Sequence, residues 1–428
     1  MKLNYKRTFF IGLAFMSICA FWQLYDYVVP YILQYTFKLP ESVTGAVMAA
    51  DNLLALFLLP LFGSLSDKVN TRLGKRTPFI LVGTAAAVIL MILVPLADWT
   101  RNLPLFIVAL ALLLLAMASY RSPAVALMPD LTPKPLRSGA NAVINLMGAL
   151  GGIFTYLIII VMLPKVDIAT GEKAQSYIPT CGVVAAFMAA AVIIFLLTIR
   201  ERKLADAMPA EEEETVADAG AGVRLAPEVR RSLIFILLSV AMWYIAYNAI
   251  SSAYSRYVLE VWGISEGTGA TMMLVATAVT TASYIPVGII SARIGRKKMV
   301  LIGVTAMTLT YFGAFFFTSY HFAAYIVMAV IGIGWAAINV NSYPMVVEMS
   351  TGADVGRYTG IYYTFSMSAQ IITPMLSGLL IQLFGYRILF PYAAVFSALA
   401  FLTMTQVRHG DVRPSAKKSA LEYLDTDD

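Results

Sequence analysis

Residues 63–76 read GSLSDKVNTRLGKR, and residues 288–298 read GIISARIGRKK. Both are short basic breaks, punctuated by glycine, between long apolar runs. Gly63 and Gly288 lie 225 positions apart, and Gly74 and Gly295 lie 221 apart. The echo continues downstream, where Asp130 and Arg137 precede Glu348 and Arg357 by 218 and 220 positions. Matching breaks at a near-constant offset imply two copies of one unit, joined in tandem.

Working outward, apolar runs fall at about 8–37, 43–66, 77–98, 103–131, 138–163, 178–199, 230–261, 267–291, 297–318, 322–348, 356–383 and 387–407. Each is long enough for a membrane span, which takes about 20 residues. Composition agrees: of 428 residues, 59% are hydrophobic and 13% are charged, and the mean hydropathy is +0.76. A soluble domain carries about 25% charged residues, so a water-soluble fold is excluded. Continuous runs, instead of alternating ten-residue segments, exclude a barrel and predict an all-α polytopic membrane protein with twelve transmembrane helices.

Placing the N-terminus in the cytoplasm puts 24 of the 31 Lys and Arg residues on that side and five outside, with Arg121 and Arg256 within spans. The membrane expected is the cell (inner) membrane, and that asymmetry predicts cytoplasmic termini. It also accounts for the net charge of +6 without a nucleic-acid partner. The first run follows a basic start but is about 30 residues long and contains Trp22 and Asp26, so it reads as a retained helix and not a signal peptide. The polar segment 200–229, with its Glu211 to Glu214 run, reads as a cytoplasmic linker between a bundle over 1–199 and a second bundle, with a tail, over 230–428. Two cysteines, Cys19 and Cys181, and two histidines, His321 and His409, offer no disulfide framework and no metal site. No cofactor is expected, and neither a nucleotide-binding loop nor a catalytic cluster is visible, so an enzyme is not expected either.

The loop at 63–76 resembles the signature of the major facilitator superfamily, in the longer spacing of the sucrose transporter and glycoside-pentoside-hexuronide:cation symporter branch. PAVALMPDLTPKPLR (Pro123 to Arg137) resembles the acid-to-arginine motif that sugar porters carry after span four, and ANAVINLMGALG (Ala140 to Gly151) resembles the start of span five in sucrose transporters. The resemblance implies a monomeric transporter of two six-helix bundles that carries a sugar with a cation by alternating access. It also implies a cytoplasmic charge network, carried here to Asp67, Arg76, Asp130, Arg137, Glu348 and Arg357. The second-half loop departs from the pattern, with Ala292 where the first half has Asp67, so one half is expected to carry the full gate. The other reading of these residues is solvated loop charge that enforces topology.

Four ionisable residues remain within spans: Asp26, Asp51, Arg121 and Arg256. Charge inside a bilayer costs at least about 2.5 kcal/mol, so such residues face a cavity and pair. At about 1.5 Å per residue, Asp26, Asp51 and Arg121 lie about 12–16 Å from the ends of their spans, near the midplane. Arg256 lies nearer an end, where snorkelling to the headgroups is expected. The resemblance places spans one, four, seven and ten around a central cavity. Asp26 is therefore read as the proton-coupling acid, Arg121 as its tuning partner, and Asp51 as sharing that role or orienting Asn52. A purely structural ion pair is the open alternative. The residues that provide a sodium site in melibiose-type members are replaced by Ala55 and Leu59, and the coupling pair of plant sucrose transporters by Leu114 and Val125.

A sugar offers hydroxyls to bond and C–H faces to stack on rings, so its site should show polar and aromatic stripes at helical spacing. The candidates are Trp22 and Gln23 in span one; Tyr244, Asn248 and Ser251 in span seven; Trp335, Asn339, Ser342 and Tyr343 in span ten; and Tyr362, Ser366, Gln370 and Thr373 in span eleven. The expectation is a proton-coupled symporter of a disaccharide or glycoside. A drug or metabolite exporter on the same fold is the competing reading, although the Gly-Pro signature of such antiporters is absent between Asn145 and Leu157.

Overall fold

The computed structural model describes residues 3–133, 136–164, 175–206, 226–349 and 355–411. Most of the expected linker, including the Glu211 to Glu214 run, lies outside the described residues, as do Lys2, Lys134, Lys165, Lys173, Arg413, Lys417 and Lys418. Among the described residues the chain is all-helical. The elements are α1 (Tyr5–Tyr31), α2 (Glu41–Lys68), α3 (Thr77–Trp99), α4 (Leu103–Asp130), α5 (Arg137–Met162), α6 (Ile178–Thr198) and the short α7 (Glu201–Asp206). They continue with α8 (Pro227–Trp262), α9 (Glu266–Ile294), α10 (Arg296–Ala314), α11 (Ala323–Val347), α12 (Val355–Phe384) and α13 (Leu389–Thr405).

Twelve of these helices fall within a few residues of the apolar runs, and eleven are long and apolar enough to cross a membrane. The twelfth, α10, opens on Arg296, Lys297 and Lys298, which shorten its apolar stretch. The outward faces are apolar: Val161 is 82% exposed, Leu197 78% and Ile89 69%. Side chains of that kind at that exposure are lipid-facing in a multi-pass membrane protein.

The chain divides into two compact units, Met1–Pro209 with Gly263–Thr277, and Ala210–Trp262 with Ala278–Asp428. In the first, α1 is the most buried helix and packs on α4, α5 and α6. Small residues permit that approach, since a Cβ on Gly151 would collide with the carbonyl oxygen of Met16. In the second, α8 packs on α11, α12 and α13, around Trp243, Tyr254 and Tyr257. Arg256 departs from the snorkelling expectation: it is 4% exposed, and its guanidinium donates to the Ser252 carbonyl at 3.0 Å. A carbonyl one turn back supplies the acceptor that headgroups would otherwise supply.

Candidate functional site

Three constellations emerge, two in the first unit and one in the second. The first sits on α1, α2 and α4. Between Leu24 and Leu33 every residue of the chain is buried except Asp26, which is exposed. The helix is therefore sealed on its other faces and open where it carries its one carboxylate. Arg121, from α4, lies over the Trp22 ring at 5.4 Å from the centroid, a cation–π contact. It is also within electrostatic reach of both Asp26 and Asp51. Asp26 and Arg121 are thus brought together as charges, without a direct ion pair. Asp51 Oδ1 accepts from the Asn52 backbone N–H at 2.6 Å and its side-chain amide at 2.9 Å. Gln23 lies on the same helix turn, its Oε1 facing Gly152.

Two buried donors here lack a partner among the described residues: Trp22 Nε1 and the Tyr25 hydroxyl. Buried polar groups are normally hydrogen-bonded, so the pair is an exception that sets this turn of α1 apart. Tyr25, edge-on to Trp22 at 5.4 Å, is a residue that the sequence does not single out. Its i+3 spacing from Trp22 was the available signal.

The second constellation lies where α2 runs into α3. Arg76 Nε donates to Asp130 Oδ2 at 2.8 Å, and its other nitrogens reach Asp67, Ser66 and the Gly63 carbonyl. Burial opposes the charged guanidinium, but the carboxylates of Asp130 and Asp67 hold its pKa above the ordinary value. Behind it, Glu201 is 4% exposed and accepts the backbone N–H of Lys75 at 2.7 Å, Arg76 at 2.9 Å and Thr77 at 2.7 Å, plus the Thr77 hydroxyl at 2.6 Å. A carboxylate at the first turn of α3 meets orphan donors and the positive end of the helix dipole. Gly74 holds φ +121, and a Cβ there would run into the Glu201 carboxyl group. The glycine is required twice, by its backbone and by its neighbour.

The remaining first-half gate candidate, Arg137, donates from Nε to the Thr132 carbonyl at 3.1 Å, and Arg7, outside that set, donates to the Leu131 carbonyl at 3.3 Å. Both cations therefore serve the C-terminal end of α4, where unbonded carbonyls carry negative charge. In the second unit Glu348 contacts Arg296, and Arg357 is exposed with no partner among the described residues. The acid at the end of α11 thus meets an arginine of the preceding loop, as Asp130 meets Arg76. The parallel extends to the helix cap: the N–H of Lys297 donates to Asp411 Oδ1 at 2.9 Å, beside Gly295 at φ +97.

The third constellation lies on α8 and α11. Tyr247 stacks on Trp335 at 3.8 Å with an interplanar angle of 2°, and Tyr244 meets the same ring edge-on at 5.2 Å. Asn248 Nδ2 and Asn339 Oδ1 are buried without partners among the described residues. Tyr247, absent from the sequence stripe, completes the aromatic shelf. Other stripe members are engaged elsewhere: Ser251 on the Asn248 carbonyl at 3.3 Å, Ser366 on the Tyr363 carbonyl at 3.1 Å, and Thr373 on the Ala369 carbonyl at 2.5 Å. The Ser342 and Tyr362 hydroxyls bond each other at 2.9 Å, and Tyr343 bonds Thr359 at 3.0 Å, closing the α11–α12 seam. Gln370 is half-buried on α12.

The glucuronide carrier protein homolog of Escherichia coli (strain K12) is 27% identical over 338 residues, 75% of this chain and 69% of that protein. A sucrose transport protein of Oryza sativa subsp. indica is 30% identical over 148 residues, 30% of this chain. The proton-associated sugar transporter A of Homo sapiens is 32% identical over 145 residues, 31% of this chain. These two matches span 29% and 19% of the relatives' own lengths. Among solved structures, the nucleoside transporter NupG (D323A mutant) superposes with a TM-score of 0.68 at 16% identity, over 95% of this chain and 100% of that one. A bacterial homolog of the lysosomal transporter Spinster gives 0.70 at 15% identity, over 97% and 100%. At such identities the likeness is one of fold. The family described as MFS/sugar transport protein matches residues 10–406, nearly the whole chain, and the protein belongs to that family.

Proposed function

We propose that this protein is a secondary active transporter that imports a sugar, a disaccharide or glycoside, together with protons by alternating access. We place it in the cell inner membrane as a monomer with both termini in the cytoplasm, as the 24-to-five distribution of cations favours. The observation that carries the reading is Asp26: one exposed carboxylate in an otherwise buried stretch of α1, facing the charges of Asp51 and Arg121. A carboxylate so placed can take up and release a proton while a nearby guanidinium favours its ionised form. Each unit by itself offers groups a sugar hydroxyl could satisfy: Trp22 Nε1 and the Tyr25 hydroxyl in the first, and Asn248 Nδ2 and Asn339 Oδ1 beside the Trp335 shelf in the second. The family and the names of its sugar-carrying relatives support the substrate class.

The charge cluster around Arg76 is assigned to the gate. Its ion pairs bias one conformation, and their loss shifts the balance. The test is uptake into proteoliposomes under an imposed pH gradient. The sugar used is the one that most stabilises the purified protein in a thermal-shift screen of mono- and disaccharides and glycosides. Accumulation when the exterior is the more acidic side supports symport. Accumulation only under the opposite gradient favours the exporter reading.

A further inference from the structure

Two adjoining hollows, of about 570 and 630 Å³, open on the first unit where α1 begins and α6 ends, and share Ile199, Arg200 and Lys203. Six cations line them, Lys6, Arg7, Arg72, Arg200, Arg202 and Lys203, against one carboxylate, Asp206. The other acid of α7, Glu201, is turned inward with its oxygens taken by the start of α3. Among the described residues none of the six cations forms an ion pair, and the buried Arg7 Nε has no partner. The position matters as much as the charge. The apolar stretch of α6 ends at Thr198, two residues before Arg200, and that of α1 begins at Tyr5, next to Lys6. Further along each helix, on the apolar side of these cations, lie exposed side chains: Leu81, which lines the second hollow, at 40% on α3, Phe9 at 44% on α1 and Leu197 at 78% on α6.

A basic hollow flanked on its membrane side by an open apolar face matches one ligand shape, an anionic phosphate with acyl chains attached. A free phosphate or nucleotide would leave the apolar flank unmatched. We infer that these hollows hold the phosphate of an anionic phospholipid, with Arg200 and Lys203 as its principal contacts. The inference is independent of what the protein carries. Charge placed only to set topology would need no hollow and would respond equally to cations elsewhere, which separates the two readings.

The test uses the full-length protein in detergent, titrated with phosphatidylglycerol, with phosphatidylcholine of the same chains, and with inorganic phosphate, and followed by thermal unfolding. The expected result is a rise in the unfolding midpoint with phosphatidylglycerol alone. Arg200→Gln combined with Lys203→Gln should weaken its apparent affinity about tenfold or more. The control pair, Arg293→Gln with Lys298→Gln, removes two exposed cations of the second unit and should leave the affinity unchanged. Lys203→Gln alone, at an exposed position, provides a folded variant with a smaller loss in the same direction. An equal response to phosphatidylcholine, or equal loss in the control pair, would overturn the site. A midpoint rise produced by inorganic phosphate alone would overturn the lipid assignment.

Discussion

Glu201 shows how far a single residue can depend on the rest of the fold. It lies in ERKLAD, a charged hexapeptide that reads as solvated linker, and its partners are 124 to 126 positions earlier in the chain. Nothing local marks it, because only the docking of the α6 exit against the α2–α3 loop brings it to Gly74. Asp26, Asp51 and Arg121 were legible for the opposite reason: a charge in an apolar run is conspicuous wherever the run folds. Tyr25 and Tyr247 were not separable by sequence from the aromatic packing around them. At this scale, Glu201→Ala should destabilise the protein by about 2–4 kcal/mol, since it strands buried donors. Gly74→Ala should destabilise it comparably through its positive φ and the collision with Glu201. The double variant should cost clearly less than the two together, because removing Glu201 removes the collision. Thermal unfolding of the four proteins reads this directly, and additive losses would show that the glycine and the carboxylate do not act on each other.

At the scale of elements, the two units use one device with different strength. In each, a carboxylate that follows the final helix caps the N-terminus of the third, at a glycine with positive φ. Glu201 is buried and takes four donors, whereas Asp411 is exposed and takes the Lys297 N–H. Asp411→Ala should therefore cost about 0.5–1 kcal/mol, well below Glu201→Ala, in the same unfolding measurement. The apolar runs made the long helices legible because a bilayer demands length and continuity. They also made the charge echo legible, from Asp130 and Arg137 to Glu348 and Arg357. The arginine that meets Glu348 was not, since sequence offset pointed to Arg357 and the fold delivers the preceding loop instead. The third-constellation helices carry their own prediction: Asn248→Ala and Asn339→Ala should each weaken sugar binding about tenfold while leaving the unfolding midpoint in place. Unchanged affinity in both, read by ligand-induced thermal shift, would remove α8 and α11 from the site.

At the scale of the molecule, the scarcity of charge organises the account. A chain with 13% charged residues concentrates them in few places: cations in the breaks between apolar runs, two helix-end clusters that join loops to helices, and a small group within the apolar helices. Fold class was legible because the solvent imposes it. The candidate stripes were less so, because several of their hydroxyls bond their own helices or close the α11–α12 seam. What distinguishes Trp22, Asn248 and Asn339 is a buried polar atom with no partner among the described residues, which depends on the packed neighbours and not on periodicity. The central claim, that Asp26 couples proton and sugar, is tested most directly by comparing the wild type with Asp26→Asn in proteoliposomes under an inwardly directed proton gradient. The account predicts that the variant loses uphill accumulation and still exchanges sugar between the two sides. Uphill accumulation retained by Asp26→Asn would contradict it.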